Sequence, residues 1–154
     1  MEEIYKSLFS SSDLLSEQFV RQMFELSGPE GTVMIFVDEN QHYQANYPNR
    51  APFLHEDSDR LLAICNQIDD GDDPCVCSVA GGCVVGTQLT TEKTHCGYFL
   101  VFLPGYTSQT VQENMDIIEL LLAQAQLICQ LIEKNNQLHH MRLDHMRKTS
   151  HVLS

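Results

Sequence analysis

A chain of 154 residues with 43% hydrophobic content is one ordinary globular domain with enough apolar mass for a real core. Its formal net charge of −12, from 21 acidic residues against 9 Lys plus Arg, argues against a nucleic-acid-binding surface. The sequence shows neither an 18-residue apolar run nor a basic leader followed by an apolar stretch, so the expectation is a cytoplasmic protein with no membrane partner.

Residues 1–12 carry Ile4, Leu8 and Phe9 before a serine run and read as an N-terminal arm. Asp13 to Ser27 reads as a helix with Leu15, Phe19, Met23 or Val20, and Leu26 on one face, stopped by Gly28-Pro29. Thr32 to Asp38 holds the run Val33-Met34-Ile35-Phe36-Val37, apolar on both faces as a central strand requires. After a polar turn, residues 42–47 alternate strictly: Tyr43, Ala45 and Tyr47 on one side, His42, Gln44 and Asn46 on the other. That pattern predicts a half-exposed edge strand, with the polar row a candidate ligand contact on the sheet's free face.

Residues 48–56 read as loop and Asp57 to Ile68 as a helix with Leu61, Leu62, Ile64, Cys65 and Ile68 inward. Cys75–Val79 and Cys83–Thr90 read as strands joined by Ala80-Gly81-Gly82, and residues 91–94 as a hairpin loop. Cys96 to Leu103 is again apolar on both faces, so it belongs beside the 32–38 strand at the centre of an antiparallel sheet.

The last element is a long helix expected to begin near Ser108, with Thr110 and Glu113 as a capping box. Alternating steps of four and three give a heptad seam: Val111, Met115, Ile118, Leu122, Ala125, Cys129, Ile132 and Asn136. This seam is the expected interface of a parallel homodimer, with Asn136 fixing its register. An offset stripe of Ile117, Leu121, Ile128, Leu131 and Leu138, broken by Gln124 and Asn135, offers a second face, so the helix is expected to serve as core and interface together. A helix of about 35 residues is roughly 50 Å long and should project beyond the domain. Past Asn136 the sequence turns polar and basic, with His139, His140, Arg142, His145 and Arg147. The expected division is therefore arm 1–12, domain 13–138 and helical connector 139–154.

Among chemical constellations, Cys75, Cys77 and Cys83 stand out. Alternation puts the first two on one strand face, with Cys83 expected to return across the turn, and soft thiolates suit zinc or an iron–sulfur cluster. The spacing is not Cys-x2-Cys and no second pair repeats it, so buried reduced thiols are the leading reading and no cofactor is expected. Asp69-Asp70-Gly71-Asp72-Asp73 lacks the spacing of a calcium loop.

The strand from Gly97 to Pro104, the Ser/Thr-rich turn and the Ala-Gln-rich helix running into Asn135-Asn136-Gln137-Leu138 resemble the end of a GAF domain, a small ligand-sensing and dimerising module of bacterial signalling proteins. The resemblance implies an α+β fold: a five-stranded antiparallel sheet of order 2-1-5-4-3, with first and last helices on one face. It also implies a non-enzymatic regulatory role in signal transduction, a homodimer through the terminal helices, and relay to an output domain in the same polypeptide or a partner protein. The insertion that walls the pocket in many ligand-binding members is reduced here to Ala80-Gly81-Gly82. Only residues 48–74 remain to cover the free face, and any pocket there should be shallow. A branch of the family that reduces free methionine sulfoxide places its cysteines in those shortened segments, so no catalytic residue carries over. The competing expectation is a cysteine-based redox or metal sensor, or a thiol redox enzyme, using Cys75, Cys77 and Cys83.

Overall fold

The structure, a computed structural model, describes residues 12–25, 29–91 and 95–153; the arm expected over 1–12 falls outside them except for Ser12. In order the elements are α1 (Ser12–Met23), β1 (Val33–Val37), β2 (Tyr43–Ala45), a 3-10 turn (Pro48–Arg50), α2 (Phe53–Glu56), α3 (Ser58–Asp69), β3 (Cys75–Val79), β4 (Gly82–Thr90), β5 (His95–Pro104), α4 (Ser108–Glu113) and α5 (Met115–Leu153). The strands form one antiparallel sheet of order β2-β1-β5-β4-β3, so the chain is α+β with the expected strand order.

The doubly apolar strands explain the layering. β5 pairs with β1 on one side and β4 on the other, and its alternate residues enter two separate cores. Phe99, Val101 and Leu103 pack with Phe19 and Met23 of α1 and with the inner side of α5. Tyr98, Leu100 and Phe102 pack with Phe53 and Leu54 of α2 and Ile64, Cys65 and Ile68 of α3. The expectation of a thinly covered free face is corrected here: residues 48–74 seal it, because α2 and the 3-10 turn add Ala51, Phe53 and Leu54 to the cover that α3 supplies. Gly86 lets α3 sit this close, since a Cβ there would lie 2.3 Å from Leu100 Cδ2 and 3.2 Å from Ile68 Cδ1. Gly97, at φ +126°, lets β5 pass Val37, whose carbonyl oxygen would be 2.2 Å from a Cβ.

The start of the long helix also differs from expectation. The cap is Thr107, whose Oγ1 accepts from the Thr110 amide at 3.2 Å. Glu113 instead accepts from Gln109 Nε2. At Asn114 the helix breaks and restarts: the Asn114 side-chain amide donates to Thr110 O at 2.8 Å, taking up a carbonyl at the end of α4. α5 then runs for 39 residues, roughly 58 Å. By length and composition Met115–Arg147 is apolar enough to cross a membrane, but its inner face is the core of the domain.

That inner face is the seam read from the sequence as a dimer interface, and the structure corrects its role. Val111, Ile118, Leu122, Ala125, Cys129 and Ile132 are buried within the chain, and Met115 is half buried against the same cluster. Asn136, expected to fix a register between copies, bonds within its own chain: its Nδ2 donates to Gln18 Oε1 of α1 at 2.9 Å. A helix lying on a flat sheet repeats its buried positions at nearly the same period as a coiled coil, so periodicity alone does not separate the two.

Candidate functional site

The opposite side of α5 carries the feature that the core does not use. Ile117, Leu120, Leu127, Leu131, Leu138 and Met141 are each between 54% and 64% exposed. Steps of three and four from Ile117 pass through Leu120, Gln124, Leu127, Leu131, Lys134, Leu138 and Met141, so the exposed residues form their own heptad stripe. The sequence reading named Ile117, Leu131 and Leu138 in its offset stripe but missed Leu120, Leu127 and Met141. Leu121, assigned to that stripe, is buried, and Ile128 packs half-buried at the edge of the core. Starting the count at Ile117 rather than Val111 finds the outer stripe directly.

The flank of α5 is latched to the sheet. Gln126 Nε2 donates to Thr90 O, the Thr90 amide lies 3.4 Å from Gln126 Oε1, and Thr91 Oγ1 donates to Glu133 Oε2. Together with the Asn136–Gln18 bond, these contacts fix the rotation of α5 about its axis and hold the outer stripe toward solvent.

The cysteines divide between the two cores. Cys75 and Cys77 face α3, their sulfurs 3.7 Å apart, and both thiols donate to Gln67 Oε1, at 3.2 and 3.0 Å. Cys83 does not join them. It pairs in register with Ser78, so alternation sends it through the sheet to the α5 side, where its thiol donates to Tyr106 O at 3.2 Å. Among the described residues no group of three or more His, Cys, Asp or Glu is placed to hold a metal ion. Burial, with the Cys77 thiol beside it, pushes the Cys75 thiol up to about 12, and burial with the nearby Asp69 pushes Cys65 up to about 11. Such thiols stay protonated at neutral pH and are poor nucleophiles.

The polar row of β2 is likewise not where it was expected. Tyr43 and Ala45 pack toward the α3 side, and Gln44 pairs with Phe36, whose ring belongs to the other core, so Gln44 points away from the free face. Asn46 is a structural residue: Oδ1 accepts from the Met34 amide at 2.9 Å, closing the end of the β1–β2 pair. His42 sits in the turn, its amide bonded to Asp38 Oδ1 at 2.9 Å and its ring 3.6 Å from Asp38 Oδ2.

On the free face a cavity of about 160 Å³ remains, lined by Val37, Gln41, Ser58, Asp59, Leu61, Leu62 and Cys65. This falls short of the roughly 300–1,000 Å³ that encloses a drug-sized ligand. A more open groove of about 300 Å³ runs between α5 and the end of β4, past Pro74, Thr87, Gln88, Glu119 and Gln126. In the acidic loop, both Asp69 oxygens accept from the Tyr98 hydroxyl at 2.7 and 2.8 Å, while Asp73 Oδ1 accepts from Thr87 Oγ1 at 2.6 Å. These carboxylates stitch the loop to the sheet rather than converge on one point. No protein-family model, curated protein or solved structure matches the chain.

Proposed function

We propose that the chain is a non-enzymatic regulatory domain of GAF-like type that dimerises through its long terminal helix and relays a change in the sheet to an output domain. One observation carries the reading: the outer face of α5 repeats large apolar residues at heptad spacing while its inner face is already committed to the core. A soluble domain rarely leaves so long an apolar stripe uncovered, and each large side chain buried against a partner contributes about 1.5–3 kcal/mol.

The same helix supplies the relay. Its latch to Thr90 and Thr91 connects the end of β4 to a rod 39 residues long. A partner bound at the groove beside β4 shifts that strand end and thereby the rod, whereas a ligand small enough for the cavity beside α3 touches β1 at Val37 and reaches β4 through β5. Thiol chemistry is the weaker reading, because Cys75 is buried, protonated and separated from Cys83 by the thickness of the sheet.

The test is sedimentation of the full chain at micromolar concentration. A dimer that Leu131→Glu converts to a folded monomer supports the proposal. A wild-type monomer, or a dimer indifferent to Leu131→Glu, refutes it.

A further inference from the structure

The outer stripe of α5 has an internal symmetry that decides how two copies meet. In a twofold homodimer, contacts are reciprocal: if one residue touches a second, the second touches the first. In a parallel pair every residue of the stripe meets its own equivalent. Gln124 then meets Gln124 acceptably, but Lys134 meets Lys134, placing two ammonium groups in the seam of an otherwise apolar contact. Like charges held together and partly desolvated are strongly unfavourable.

Turning one helix around removes the conflict. With the twofold axis at the level of Cys129, Ile117 meets Met141 of the second copy, Leu120 meets Leu138, Leu127 meets Leu131, and Gln124 meets Lys134. Each apolar layer finds an apolar layer, and the two symmetry-related polar layers each pair an ammonium with an amide oxygen. Gln124 and Lys134 are both exposed on the stripe, and the sheet lies on the opposite side of the helix, so the second copy approaches without displacing the domain. The paired length, from Ile117 to Met141, is about 36 Å.

We infer that the outer stripe of α5 binds a second copy of this chain in antiparallel register, centred on the level of Cys129, with Gln124 and Lys134 paired in its two polar layers. The inference rests on the proposal that the domain dimerises and replaces the parallel arrangement expected from the sequence. Its consequence is that the two helices leave the dimer in opposite directions beyond Met141. A signal therefore passes along each tail separately rather than through a joined coiled coil.

Two measurements on the full chain test it. Gln124→Glu places a carboxylate opposite Lys134 twice per dimer, so sedimentation equilibrium should show the dissociation constant falling about fivefold; in a parallel dimer the two carboxylates meet and the constant rises instead. Separately, Ile117→Cys and Met141→Cys are made in a Cys77→Ser background, and mild oxidation is followed by non-reducing gel electrophoresis. A cross-link formed only when the two variants are mixed supports the register. Cross-linking of each variant with itself overturns the antiparallel register while leaving dimerisation intact. No cross-link from a chain that sediments as a dimer overturns the stripe as the contact. A monomer overturns both readings, and if that monomer floats with liposomes of neutral and anionic phospholipid, the stripe's occupant is a lipid surface.

Discussion

The two faces of α5 have nearly the same composition and opposite fates. The inner face, with Ile118, Leu122, Ala125, Cys129 and Ile132, is spent against the sheet. The outer face, with Ile117, Leu120, Leu127, Leu131, Leu138 and Met141, is left in solvent. What separates them is neither hydrophobicity nor period but rotation about the helix axis, set by the break at Asn114 and by the bonds from Gln126, Glu133 and Asn136. The lesson is that a helix with two heptad stripes must be assigned by what its flanks are tied to.

The sharpest way to break this comparison is to place one charge on each face. Leu122→Glu buries a carboxylate in a site that is only 6% exposed, and should cost about 4 kcal/mol or more, read as loss of the cooperative urea transition or its collapse to low denaturant. Leu131→Glu, one face over, should leave far-UV circular dichroism native and weaken the dimer on the order of a hundredfold by sedimentation. If the two variants behave alike, the assignment of faces is wrong.

A smaller effect separates the old role of Asn136 from the new one. Asn136→Ala removes the bond to Gln18 and should cost about 1 kcal/mol in denaturant unfolding while leaving the dimer constant unchanged. Were Asn136 a register residue in a dimer seam, the dimer constant would move first.

The weakest probe acts on the layer that α5 does not touch. The folded-state pKa values of Cys65 and Cys75, about 11 and about 12, lie above the ordinary 9.0. Unfolding releases a more acidic thiol, so the stability these groups contribute is intact below pH 9 and is lost as pH rises toward 11–12. Urea midpoints measured from pH 8 to 10.5 should fall above pH 9, and by less in Cys65→Ala. An unchanged slope would show that the thiols ionise as freely in the folded chain as in the unfolded one.

Much of this architecture was legible in the residues. Val33–Val37 and Tyr98–Leu103 declare themselves as the doubly buried strands because no polar residue interrupts either face, and their pairing fixes most of the sheet order. Strict alternation likewise marked β2 as an edge, though not which way its polar side faced. That depends on the register of Gln44 with Phe36, which no single strand reveals. Cys83 was misplaced for a related reason: an even or odd number of residues across the β3–β4 turn decides the face, and the turn closes with Val79 paired to Gly82. The seal over the free face was underestimated because Phe53 and Leu54 sit among prolines that read as loop, yet they form a short helix whose ring packs 5.6 Å from Phe102. For α5 the period was right, but period carries no information about which side the sheet takes, and the stripe assigned to a second copy is the one the sheet buries.

The central claim, that the inner face builds the domain and the outer face joins two of them, is tested most directly by sedimentation equilibrium of wild-type and Leu131→Glu chains across a micromolar concentration series. The account predicts a reversible dimer for the wild type and a folded monomer for the variant. A wild-type chain that stays monomeric throughout, or a variant that dimerises as tightly, would contradict it.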